Sequence, residues 1–161
     1  MVEFTGRVLL PFRTIDGLWR PRRDLPEGLH IVRDADEWTR LWGIPASRQP
    51  SEPPVLSVNW QSEMCVVVAL GMRLSGGYFV LIDAIDVVDG QITVLAWEIR
   101  PGPGPATTRA ITHPMHAVAA PAQPGDARLV KRIAYEVHGA VEISSATAPG
   151  SDAGPAGAHL P

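Results

Sequence analysis

Residues 78–99 constrain the fold more than any other part of the chain. They read "YFVLIDAIDVV", then Asp89-Gly90, then "QITVLAWEI". Two runs rich in β-branched and aromatic residues are thus joined by a dipeptide that favours a two-residue hairpin loop. Val80, Ile82 and Ala84 alternate with Phe79, Leu81 and Asp83; Ile92, Val94 and Ala96 alternate with Thr93, Leu95 and Trp97. Both faces of the ribbon are largely apolar. Such a hairpin belongs in the middle of a fold, and the pattern predicts a helix over one face and further strands over the other.

The rest of the chain supplies candidates for that cover. Residues 2–10 read as a first strand, with Phe4, Val8 and Leu10 on one side. Residues 11–28 read as an irregular solvated stretch, in which Arg20, Arg22 and Arg23 are offset by Asp16, Asp24 and Glu27. In "RDADEWTRLWGI" Asp34 suits an N-cap and Glu37 completes a capping box. Trp38, Leu41 and Trp42 then share one face, and Gly43 and Pro45 end the helix. That face is expected to anchor the helix to a sheet. A strand is expected over 65–70, and later strands within "TTRAITHPMHAVAA" and "RLVKRIAYEVHGAVEI". The expected fold class is mainly β, a small antiparallel sandwich or partly open barrel with one short packed helix. The expected division is a single domain over 1–143, with a flexible tail over 144–161 that holds almost no large apolar side chains.

Composition narrows the function. With 161 residues and 45% hydrophobic content, one domain can bury a real core. A net charge of −3 provides no field to gather nucleic acid or anionic lipid. The single cysteine, Cys65, lies in "CVVVAL", where a buried inert thiol is expected. No apolar run approaches the roughly 20 residues of a spanning helix, and the N-terminus lacks a signal-peptide core. The expected location is cytoplasmic.

No reaction announces itself. His113 and His116 in "THPMH" point to opposite faces of a strand, so they make a poor chelating pair. Ser75 precedes Gly76-Gly77 and a strand, which is the wrong setting for a nucleophile elbow. No phosphate loop is present. No catalytic residue, metal or cofactor is assigned. The competing reading, an enzyme or small-molecule binder, requires a pocket where Asp83, Glu98, His113 and His116 converge. A third reading is a structural component of a larger assembly, docked through the tail or the arginine-rich loop.

The loops at the hairpin's ends draw attention instead. Ser75-Gly76-Gly77-Tyr78 precedes the first strand, and Pro101-Gly102-Pro103-Gly104 follows the second. Together with Trp60, Gly71, Thr112 and Pro114 they form an ordered pattern over residues 60–118 that resembles the PrcB C-terminal domain family, named after an accessory subunit of a bacterial protease complex. Met115 departs from the aromatic expected after the proline, and residues 121–161 extend past the family's end. The resemblance implies a non-catalytic accessory role beside a protease and supplies no catalytic residues. Two-residue glycine freedom and a rigid aromatic suit a contact surface, and proline lowers the ordering cost of a loop on binding. The leading expectation is a protein-binding rim formed by Arg73, Ser75, Gly76, Gly77, Tyr78, Pro101, Gly102, Pro103, Gly104, Thr112, Pro114 and His116, its partner a protein, with neither nucleic acid nor membrane involved.

Overall fold

The structure is a computed structural model, and it describes residues 6–15, 25–42, 57–103, 109–137 and 140–143. Phe4, Arg20, Arg22, Arg23, Gly43, Pro45, Gly104, the 144–161 tail and the Trp42 side chain lie outside the described set.

The chain runs through β1 (Arg7–Leu9), β2 (Arg13–Thr14), β3 (Gly28–Val32), α1 (Ala35–Trp42), β4 (Glu63–Ala69), β5 (Phe79–Val88), β6 (Gln91–Pro101), β7 (Met115–Pro121), β8 (Ala127–Val137) and β9 (Ala140–Ile143). These form a five-stranded sheet, β1-β5-β6-β8-β9, and a four-stranded sheet, β2-β7-β4-β3. The mainly β architecture matches expectation, as two stacked sheets and not a closed barrel. All pairs are antiparallel except β6 with β8, which run parallel because the chain crosses to β7 in the other sheet between them.

The hairpin forms as its sequence predicts. Asp89 (φ 49°) and Gly90 (φ 78°) both take positive φ, the combination that matches a two-residue loop to strand twist. A bulge between Ile82 and Ala84 leaves Asp83 as the extra residue. The inner face carries Val80, Ile82, Ile85, Ile92, Val94 and Ala96 against Met64, Val66, Val68 and Leu70 of the β4 segment and Val118 and Ala120 of β7. The chain changes sheets at Leu10–Phe12: Leu10 N donates to Ile85 O (2.9 Å), and Ile15 N to Ala117 O (2.9 Å).

The cover over the hairpin differs from expectation. The helix lies on the far side of the four-stranded sheet, where buried Trp38 and half-buried Leu41 cluster with Cys65, Val67, Ala69, Ala117 and Ala119. The strand buried on both faces is therefore β4, whose "MCVVVA" run is apolar at every position. Apolar alternation marks a face as greasy; it does not say which layer lies against it. The capping box is also displaced by one residue. Asp34 Oδ1 accepts from Glu37 N at 2.7 Å as expected, but Glu37 Oε2 reaches the Arg33 amide at 2.6 Å. Cys65 is fully buried, and burial pushes its thiol up to about 12, so no thiolate forms near neutrality. Among the described residues no helix is long and apolar enough to cross a membrane.

Candidate binding rim

The segments 71–78 and 109–116 come together, and backbone pairing holds them. Arg73 and Thr112 form an isolated antiparallel bridge, each amide donating to the other's carbonyl at 2.9 Å. Thr112 Oγ1 donates to Ser75 O at 3.0 Å, and Leu70 N donates to Pro114 O at 2.9 Å. Gly77 takes φ 85°, a conformation costly for a residue with a Cβ, so the chain can turn into β5 there. Phe79 pairs with Ile99, so Pro101–Pro103 lies at this same end of the sandwich. Pro103 is exposed, and Gly102 N donates to Glu136 O at 2.9 Å.

Arg73 points inward and ties the rim to the sandwich. One Nη donates to Leu70 O at 2.6 Å, and the other lies 3.1 Å from Glu98 Oε1. Glu98 has 0% exposure, on the inner face of β6 where the apolar ladder ends. Arg100 Nε also meets its Oε1, at 2.9 Å, and Lys131 Nζ meets Oε2 at 2.7 Å. Glu27 then bridges Lys131 (3.2 Å) and Arg73 (3.5 Å). Burial alone would push the Glu98 carboxyl up, but Lys131, Arg100 and Arg73 together hold it down at about 2. The ionic cluster closes this end of the core in place of apolar packing. Its cations are committed to carboxylates that the protein itself supplies.

Two expected rim residues do structural work. Tyr78 is half-buried against the core, with the Arg73 guanidinium 5.6 Å from its ring centroid, so its ring is not a free contact. His116 lies between the sheets. Ile82 N donates to its Nδ1 at 2.9 Å, which places the ring proton on Nε2, 3.0 Å from Thr14 Oγ1. Both ring nitrogens are occupied. Burial holds its imidazole below the ordinary histidine value.

What the rim presents outward is a set the sequence reading did not single out. Met72 (58% exposed), Leu74 (74%) and Ile111 (64%) flank the Arg73–Thr112 bridge. Strand alternation supplies the signal in retrospect: once Arg73 and Thr112 point in, their neighbours point out. The four groups of the competing reading have separate fates. Asp83 is exposed at the bulge, Glu98 is ion-paired, His113 is half-buried on the rim, and His116 bridges the sheets. Among the described residues, no three His, Cys, Asp or Glu side chains gather as a metal ion would require.

The fold and the rim define a β-sandwich that carries an apolar patch on its end loops. Residues 64–121, little over a third of the chain, match the family model described as PrcB C-terminal, and the resemblance read from the sequence holds over this span. The matched stretch begins in β4, ends with β7 and contains both rim segments. No curated protein and no solved structure matches the chain.

Proposed function

We propose that this protein is a non-enzymatic accessory domain that docks onto a protein partner, a protease in the first instance, through the rim formed by residues 71–78 and 109–114. One observation carries the reading: Met72, Leu74 and Ile111 stand exposed on backbone held by the Arg73–Thr112 bridge. Apolar side chains on a pre-ordered loop lose little entropy on binding, and an exposed apolar patch of this kind suits a partner interface. The family match adds the accessory character and the association with proteases. Pro103 extends the surface at the same end.

Gly77 and Tyr78 make poor test positions, since one requires positive φ and the other packs on the core. Leu74→Glu with Ile111→Glu leaves the interior untouched. With the tagged full chain as bait in its native host, a protease should be recovered by wild type and lost by the double variant, with the thermal midpoint nearly unchanged. Recovery of the same protease by both forms would exclude the rim, and recovery of no protease would exclude the protease association.

A further inference from the structure

The outer face of the five-stranded sheet is apolar and in part open, with Ile99 and Ala134 buried and Phe79 and Leu81 exposed. The ladder pairs of β5 and β6 place Phe79 beside Ile99, Leu81 beside Trp97 and Ala84 beside Leu95; β8 continues these rows with Ala134, Arg132 and Val130. Phe79 is 54% exposed and Leu81 48%, while Leu95, Trp97 and Val130 are half-buried among one another. Among the described residues, no element packs over this face: the helix and its cluster sit on the other sheet. A soluble monomer gains nothing from aligning large apolar side chains in rows toward water.

The flanks of this stripe carry opposite charge. On the β8 side, Arg132 stands 5.7 Å from the Trp97 ring centroid and Arg128 Nε donates to Thr93 Oγ1 at 3.0 Å; both are exposed, and neither has a carboxylate partner among the described residues. On the β5 side, the bulge leaves Asp83 exposed. Exposed Asp126 and half-buried Glu136 sit at the two ends of the β8 row, so the positive charge is confined to its middle, level with Asp83. Arg7 is neutralised by Asp86 at 2.7 Å, and Glu136 lies at the far end of β8 beside Pro101.

We infer that the occupant of this face is a second copy of the same chain, packed sheet to sheet about a two-fold axis running along β6. That operation lays the β5 side of each copy over the β8 side of the other. Each Asp83 then approaches Arg128 and Arg132 of the opposite copy, and the apolar rows meet in the middle, which is the self-complementarity a two-fold interface requires. An acidic partner would satisfy the arginines and leave Asp83 opposed; the mixed flanks favour the identical chain. The size is adequate. Three long strands about 4.8 Å apart, each about ten residues of 3.3 Å, offer on the order of 500 Å² per copy, and the short β1 and β9 raise this to about 600 Å², or about 1,200 Å² for the pair, the lower end of the standard range.

Sedimentation equilibrium of the full chain over a dilution series tests the proposal. Wild type should show a reversible dimer. Leu81→Lys, at a half-exposed position outside the core, should raise the dissociation constant at least about tenfold while preserving the far-UV circular dichroism and thermal midpoint. Asp83→Arg should weaken the dimer as well, and adding Arg128→Asp and Arg132→Asp to it should restore association. A wild-type chain that is monomeric throughout overturns the proposal. So does a dimer indifferent to Leu81→Lys, or one abolished by Leu74→Glu on the rim. A monomer that loses capture of a different protein on Leu81→Lys overturns the second copy as occupant.

Discussion

Glu98 sits where the inner face of β6 runs out of apolar side chains, and its lack of solvent exposure is tolerable only because three cations reach it. Removing one member of a buried ion cluster typically costs about 3–5 kcal/mol, and the lower end applies here because the cations are part-exposed and Arg73 and Lys131 keep Glu27. Glu98→Gln keeps the shape and removes the charge, so urea denaturation at neutral pH should register a loss on the order of 3 kcal/mol. The pH dependence follows from the sign of the shift. The folded carboxyl, at about 2, lies below its ordinary value of 4.5, so the unfolded chain binds the proton more readily. The stabilisation is complete above about 4.5 and fades as pH falls from there through about 2. The variant should lack that segment of the acid-denaturation profile. None of this was legible in advance. Position 98 reads as a polar residue at a strand end, and its partners Arg73 and Lys131 are brought to it only by the fold.

Among the elements, β5 shows how an exposed strand edge is managed. The three-residue β1 pairs with Asp86–Val88, and among the described residues no strand lies beside the earlier part of the β5 edge. His116, reaching across from β7, accepts the Ile82 amide there. The imidazole must be neutral at Nδ1 to accept, and its lowered folded value means the unfolded chain takes up the proton first. Stability is therefore complete above the ordinary histidine value of 6.5 and declines as pH falls below it. Thermal melts across that range should show the decline in wild type, and His116→Gln should flatten it. The hairpin itself was readable because turn preference is local, resting on two positive-φ positions, and the helix start was readable for the same reason. The edge cap was not: a histidine three residues after another in a loop-like stretch gives no sign that it will bond a backbone amide 34 positions away.

For the molecule as a whole, the decisive feature is that β4 lies between two clusters. Met64, Val66 and Val68 face the other sheet, while Cys65, Val67 and Ala69 face the helix. Amides of β4 and its neighbour β7 should therefore open only with global unfolding, while those of 71–78 exchange early through local opening. Native-state hydrogen exchange read by mass spectrometry checks this order; equal protection of the rim and β4 would contradict it. The same arrangement separates the two surfaces discussed above, with the apolar rim at one end of the sandwich and the open sheet face along its side.

From the sequence alone came the mainly β class, the Asp89-Gly90 hairpin, the capped helix, the inert thiol and the family stretch, because each rests on residues near one another in the chain. Only the tertiary structure decided which face of the hairpin is covered, that β8 runs parallel to β6, where the helix docks and which charges surround Glu98. The physical reason is that apolar periodicity records a side chain's preference for leaving water, whereas its neighbours are chosen by how distant segments pack.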